Sequence, residues 1–260
     1  MFVGFLSLSY CILTAVGLRG GWQGDRPDRT DWEGRVLGGL AFAAACLVFG
    51  PMHGVALTLS IMLHEFGHVA AYRVIGHRDA RFRLLPLFGG VAISDRLPDS
   101  EEESFFVALM GPGICIAPMV LAHALHPAVA SVNALAGEFL WTFAITTGAL
   151  NFFNLLPLWP LDGGRCVRNV VNAFSPAAAK QIAPIMAAAL IAGAVATRSM
   201  GLVLFALMGA QSVIASAGDF GQHPMGPRRA LLAFGAWSAA LATFWIGGWP
   251  MISWLWGFVG

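Results

Sequence analysis

The 260-residue sequence has very little charge. Charged residues make up 11% of the chain, hydrophobic residues make up 57%, and the mean hydropathy is +0.71. Because a soluble domain carries roughly a quarter charged residues, the composition excludes an ordinary soluble protein and predicts an integral membrane protein. The sequence also lacks a basic stripe with interleaved aromatic residues, so nucleic acid is not an expected partner.

Three further absences narrow the function classes. The four cysteines are scattered without a CxxC pair, so they say nothing about the redox compartment and are typical of small residues packed in a bilayer. No glycine-rich phosphate loop follows a strand, which argues against phosphoryl or dinucleotide chemistry. No polar stretch is long enough for a soluble domain. Residues 1–260 are therefore expected to form a single membrane domain.

Long apolar runs predict an all-α polytopic membrane protein with six to eight transmembrane helices. Helices are expected because backbone groups in lipid must be hydrogen-bonded within their own segment. With eight spans, 14 of the 15 Lys and Arg residues fall in loops on one side, which predicts that this side is cytoplasmic. The runs lie near residues 1–18, 36–50, 54–75, 105–127, 136–156, 181–197, 199–217 and 231–250.

A polar stretch precedes the fourth of these runs. In PDSEEES, Ser100 and Glu103 have the spacing of a capping box, and the carboxylates favour a helix N-terminus. The pattern predicts a helix start here rather than an acidic binding patch.

One apolar run, SIMLHEFGHVAAYRV at residues 60–74, contains ionisable side chains. His64 and His68 are four residues apart, so on a helix they share a face and can both reach one zinc ion. Glu65 can then reach a water on that zinc rather than the zinc itself. Burying such groups in a membrane is costly, which makes them functional candidates. The alternative is a polar contact between two helices.

A catalytic zinc site normally has three protein ligands and a water, so a third ligand is needed. His53 lies eleven residues before His64, roughly 16 Å along a helix axis, which is too far. Four other histidines fall at span ends or in loops and are expected at the surface: His77, His123, His126 and His223.

Asp162, in NFFNLLPLWPLDGGR, is the strongest candidate for the third ligand. Pro157 and Pro160 end the preceding helix, and Gly163–Gly164 permit a sharp turn. The carboxylate is then expected to point inward from non-helical backbone that is buried in protein. An ordinary helix terminus followed by a turn is the alternative for this stretch.

These motifs resemble those of the site-2 protease family of intramembrane zinc metalloproteases. The resemblance covers HEFGH, LLPLFGGVAI at 84–93 and NLLPLWPLDGGR at 154–165, and it implies a catalytic core over about residues 51–175, with C-terminal helices over about 176–260. It further implies one zinc ion per chain, bound by His64, His68 and Asp162. Glu65 would be the catalytic base, and Asn154 would contact the substrate backbone. Many members carry a PDZ or CBS domain, and this chain is expected to be a compact form with neither.

The family also has a hairpin or edge strand that could hold the substrate. A turn at Gly89–Gly90, followed by Val91 and Ala92, predicts a hairpin or edge strand near the active site. The unpaired N–H and C=O groups of an edge strand can hold an unwound substrate segment, so these four residues are the expected substrate-binding strand. A plain β-turn in a cytoplasmic loop is the alternative.

The predicted function is therefore an intramembrane zinc endopeptidase that cleaves transmembrane segments of membrane-anchored proteins. The expected location is a bacterial cytoplasmic membrane, with the active site toward the cytoplasmic side. Two alternatives stay open, a catalytically silent zinc-binding membrane scaffold and a metal permease. Neither requires Glu65.

Overall fold

The computed structural model describes residues 2–22, 32–85, 89–197 and 222–256. A short 3-10 helix, Arg19–Trp22, follows the first α-helix, and two strands, β1 (Arg81–Leu85) and β2 (Gly89–Ile93), separate the third from the fourth. The helices are α1 (Phe2–Gly17), α2 (Trp32–Phe49), α3 (Pro51–Val74), α4 (Glu101–Ala130), α5 (Ala134–Asn154), α6 (Asp162–Asn172), α7 (Pro176–Thr197) and α8 (Pro227–Trp256). The predicted all-α fold class with a small hairpin is confirmed.

Five of the described helices are long and apolar enough to cross a membrane, namely α2, α3, α4, α7 and α8. Helix α1 is a shorter apolar helix. Helix α5 is not among the five, although it coincides with a predicted span, and its buried residues include threonines and Asn151. The predicted span at 199–217 lies outside the described residues. The chain is a multi-pass membrane protein.

The described residues fall into two compact units. The first comprises Met1–Arg96, Met110–Phe153 and Ala240–Gly260, and the second comprises Leu97–Leu109 and Asn154–Ala239. Helices α4, α5 and α8 therefore each contribute residues to both units.

In the first unit, α3 packs against α2, the 3-10 helix and both strands. Helices α3 and α5 run in the same direction. Two side-chain contacts between them are four residues apart on each helix, and both contacts advance toward the C-terminus. Ser60 Oγ lies 2.7 Å from Thr147 Oγ1, and His64 Nδ1 lies 2.7 Å from Asn151 Oδ1. Helix α4 approaches α3 so closely that a Cβ on Gly67 would collide with the Met110 carbonyl oxygen.

The predicted hairpin is present in the first unit. Strands β1 and β2 pair antiparallel, from Arg81 opposite Ile93 to Leu85 opposite Gly89. The sequence suggested that Gly89 and Gly90 form the turn, and this is wrong, because both residues lie inside β2. Residues 86–88, which connect the strands, lie outside the described residues.

A hydrogen-bonded chain of side chains closes the base of the hairpin. The Ser94 hydroxyl donates to Asp79 Oδ2 at 3.2 Å, so the Ser94 oxygen accepts from His77 Nδ1 at 2.8 Å. The Asp95 backbone N–H also donates to Asp79 Oδ2, at 2.7 Å, and this bond is the main reason that the pKa of Asp79 is lowered. His77 is buried, so its predicted surface position is wrong.

In the second unit, the N-terminus of α4 is bound to two other segments. The buried Glu101 carboxylate accepts from the Met225 backbone N–H at 2.9 Å and from Asn172 Nδ2 at 2.5 Å. The Glu103 backbone N–H donates to Ser100 Oγ at 3.3 Å, which confirms the predicted helix start.

Candidate metal centre

The three ionisable residues of HEFGH lie together on α3 and are all buried. The Nε2 atoms of His64 and His68 are 3.1 Å apart. Nitrogen ligands held about 2.0–2.1 Å from a tetrahedral zinc ion lie roughly 3.3–3.4 Å from each other. The two rings are therefore spaced so that one metal ion can bind both.

His64 is oriented by a neighbouring helix. Its Nδ1 lies 2.7 Å from the side-chain oxygen Oδ1 of Asn151, which is fully buried on α5. The Asn151 Nδ2 group in turn donates to the Thr147 carbonyl oxygen at 2.8 Å. This leaves Nε2 as the ring nitrogen that faces His68.

His68 is confined by α4. A Cβ built on Gly111 would overlap the imidazole ring of His68, so a side chain at residue 111 would displace the ring. The GPG sequence at 111–113 thus supplies space for a predicted metal ligand, which the sequence reasoning did not anticipate.

Glu65 lies against the hairpin. A Cβ built on Gly90 would overlap the Cγ and carboxyl group of Glu65. Strand β2 therefore passes directly beside the predicted base, and the glycine at residue 90 leaves room for its side chain. This places the expected substrate-binding strand, which includes Val91 and Ala92, within the same unit as Glu65.

Asp162 belongs to the second unit, where it is buried and begins α6. The expectation of non-helical backbone at Asp162 is wrong, because the residue occupies the first position of a helix, where a carboxylate is favoured by the helix dipole. A Cβ on Gly163 would collide with the carbonyl oxygens of Leu155 and Leu156. The glycine is therefore required for close packing rather than for a turn.

Asn154, the predicted substrate contact, is the last residue of α5 and is half-buried. The chain then turns through hydrogen bonds from Leu158 N to Leu156 O at 2.7 Å and from Leu161 N to Leu158 O at 2.9 Å. These turns connect Asn154 to Asp162 within the NxxPxxxxDG motif.

The first unit offers the two buried imidazoles of His64 and His68 as possible metal ligands, and the second unit offers the buried carboxylate of Asp162. Two imidazoles and a carboxylate are a donor set that zinc prefers in catalytic sites. The residues present therefore fit a zinc ion.

Two comparisons with known proteins bear on this site. The model of peptidase family M50 matches residues 117–196, which contain Asn154 and Asp162. The zinc metalloprotease MJ0392 of Methanocaldococcus jannaschii is 30% identical over 126 residues, and stage IV sporulation protein FB of Bacillus subtilis is 33% identical over 124 residues. The chain is therefore similar to peptidase family M50 over residues 117–196, and to zinc metalloproteases over just under half of its length. These similarities confirm the resemblance to the site-2 protease family that the sequence motifs indicated.

The similarity to these proteins is partial. It covers 48% of this chain and 36% of the archaeal protein, and 47% of this chain and 42% of the Bacillus protein. The putative zinc metalloprotease Rip3 of Mycobacterium tuberculosis is 33% identical over 123 residues, which are 46% of this chain and 31% of that protein. The chain thus spans less than half the length of the curated relatives it matches. Zinc is the cofactor that these relatives and the donor set imply.

Two residues near the histidines were missed by sequence reasoning. Asn151 and Gly111 both touch a predicted ligand, yet each lies on a different helix from the residue it contacts. The sequence signals for these two residues are weak. Asn151 is an amide inside an apolar run, and Gly111 is part of the GPG sequence.

Proposed function

We propose that this chain is an intramembrane zinc metalloendopeptidase that cleaves transmembrane segments of membrane-anchored proteins. The observation that carries the proposal is the arrangement on α3, where a buried glutamate adjoins two buried histidines whose Nε2 atoms are 3.1 Å apart. Zinc needs the histidines, but it does not need Glu65 as a ligand. A carboxylate at that position is suited to proton transfer.

Each site residue has one role in the proposed reaction. His64, His68 and Asp162 would hold the zinc ion, which when bound acidifies a water molecule and polarises a carbonyl group. Glu65 would take a proton from the attacking water and deliver it to the leaving amine nitrogen. The Asn154 side chain would hydrogen-bond to the substrate backbone.

Strand β2 would hold the substrate in an extended form. A transmembrane helix hides its carbonyl groups in internal hydrogen bonds, so it must be unwound before a peptide bond can be attacked. Residues 89–92 would pair with the unwound segment as an added strand. The close approach of Gly90 to Glu65 supports this role, because it would bring the paired segment to the catalytic base.

We further propose a bacterial cytoplasmic membrane as the location, with the site toward the cytoplasmic side. The basic loops support this orientation, since 14 of the 15 Lys and Arg residues fall on one side in the eight-span topology. Residues 1–260 would act as a single protease domain, with the catalytic core over about 51–175 and C-terminal helices over about 176–260. The names of the relatives and the presence of Glu65 favour a protease over a zinc scaffold or a metal permease.

Cleavage of single-pass membrane proteins tests the proposal. The purified protein, in detergent or in bilayers, is incubated with a panel of such proteins with and without a zinc chelator. At least one substrate is expected to be cut within its membrane segment, with cleavage lost on chelation and restored by added zinc. Zinc-bound protein that cuts nothing in the panel would favour the scaffold, and cleavage that resists chelation would contradict a zinc mechanism.

A further inference from the structure

We propose that Asn151 is a positioning residue that fixes the tautomer and the orientation of His64. The inference rests on the metal site of the proposed function. Asn151 lies on α5, is fully buried, and makes hydrogen bonds with both ends of its side-chain amide.

The neighbours of Asn151 determine which way its amide points. The carbonyl oxygen of Thr147 can only accept a hydrogen bond, so the group that faces it at 2.8 Å must be the amide nitrogen Nδ2. The oxygen Oδ1 is consequently the atom that lies 2.7 Å from Nδ1 of His64. A flipped amide would set two acceptors against each other at Thr147, so the flip is disfavoured.

This orientation decides where the ring proton of His64 resides. Because Oδ1 has no hydrogen to give, Nδ1 of His64 must donate the hydrogen bond and carry the proton. The neutral ring then offers its lone pair at Nε2, the atom that lies 3.1 Å from Nε2 of His68. A metal-binding histidine commonly donates its other N–H to an oxygen, which orients the ring and strengthens it as a ligand. Asn151 supplies that oxygen.

A purely architectural role for Asn151 makes a different prediction. The contact could serve only to hold α3 against α5, as the neighbouring pair of hydroxyls does. Ser60 and Thr147, both buried, join the same two helices one turn earlier through oxygens 2.7 Å apart. Removing the Thr147 hydroxyl therefore perturbs the same helix interface without removing the oxygen that faces His64.

Zinc affinity, measured by competition with a chelator of known affinity, distinguishes the two roles. Asn151→Leu removes the acceptor at similar volume, and it is expected to weaken zinc binding by about 10- to 100-fold. Asn151→Asp keeps an acceptor oxygen and is expected to bind zinc more tightly than Asn151→Leu. The matched control, Thr147→Val, is expected to lower thermal stability while zinc affinity stays within about threefold of the unaltered protein.

Two results would overturn the proposal. One is unchanged zinc affinity in Asn151→Leu, and the other is an equal loss of affinity in Thr147→Val, since either would make Asn151 a packing contact. If Asn151→Leu does not fold, nitrogen-15 NMR of the zinc-free, histidine-labelled protein decides, because zinc on Nε2 would by itself force the proton to Nδ1. The proposal requires the His64 proton on Nδ1, and a proton on Nε2 would refute it.

Neither measurement uses cleavage. A chain that binds zinc as expected but cuts no membrane protein would therefore refute the proposed function and leave the role of Asn151 intact.

Discussion

A methyl group at residue 111 is expected to displace His68. The Cβ of Gly111→Ala would overlap Cε1 and Nε2 of the ring, whereas ordinary contacts begin near 3.4 Å. The ring or helix α4 must therefore move by about 1 Å. A binding constellation tolerates displacements of only about 0.5 Å, so the shift is about twice what the site can absorb.

Gly111→Ala is expected to affect zinc affinity more than the free energy of unfolding. Overpacking costs about 1–3 kcal/mol, while replacing glycine by alanine in a helix returns about 1 kcal/mol. Residue 111 also precedes Pro112, which disfavours a side chain in helical conformation and adds to the cost. A modest loss of stability is thus expected, together with a loss of zinc affinity of about tenfold or more. Chelator competition and thermal unfolding on the same sample measure both.

Gly113→Ala is the matched control on the same helix. A Cβ there would lie 3.4 Å from Met110 Sδ and 3.7 Å from its Cε, which is ordinary contact with a flexible side chain. The gain in helix propensity is the same, so zinc affinity is expected to stay unchanged. Normal zinc affinity in Gly111→Ala, or an equal loss in both variants, would refute the position inferred for His68.

Three other predictions concern the ligand set, the strand and the hairpin. Asp162→Ala is expected to lower zinc affinity by more than about 100-fold, because a ligand contributes more than a residue that orients one, whereas His123→Ala should leave the affinity unchanged. Full zinc occupancy in Asp162→Ala would exclude Asp162 as the third ligand. Val91→Pro or Ala92→Pro should slow cleavage of a transmembrane substrate more than cleavage of an extended peptide, since proline removes a strand N–H donor. The zinc content should stay unchanged. Equal slowing of both substrates would exclude a special role of the strand in unwinding. The hydrogen bonds that lower the pKa of Asp79 stabilise the hairpin at pH values above the ordinary value of 3.8, and this contribution is lost as the pH falls through the lowered pKa. Hydrogen exchange of the hairpin amides should therefore respond to Asp79→Asn at neutral pH, and the response should decline as the pH falls below 3.8. A response that does not decline would contradict this account.

The proximity of the two histidines could be predicted, because a spacing of four residues fixes their relative position on a helix. A spacing of four places His64 and His68 on one helix face whatever packs around them. The Ser100 helix start was predictable for the same reason, since a capping box involves only local backbone.

The surroundings of these residues could not be predicted, because they depend on how helices meet. Asn151 and Gly111 are recognisable only once α5 and α4 have been placed against α3. The hairpin glycines were assigned to a turn on general preference, but Gly90 is needed inside β2 to leave room for Glu65. His77 was expected at the surface, yet it is buried and its Nδ1 is hydrogen-bonded to Ser94, seventeen residues further along the chain.

The role of Glu65 in proton transfer is tested most directly on the Glu65→Gln variant. Its zinc content and its cleavage rate are measured on the same sample. The substitution keeps the size of a buried side chain on α3 and removes its ability to take a proton. Zinc content is expected to equal that of the unaltered protein, while cleavage of a membrane-anchored substrate falls by about 100-fold or more. Loss of zinc together with activity would make Glu65 a ligand, and cleavage at the normal rate would show that another group moves the proton.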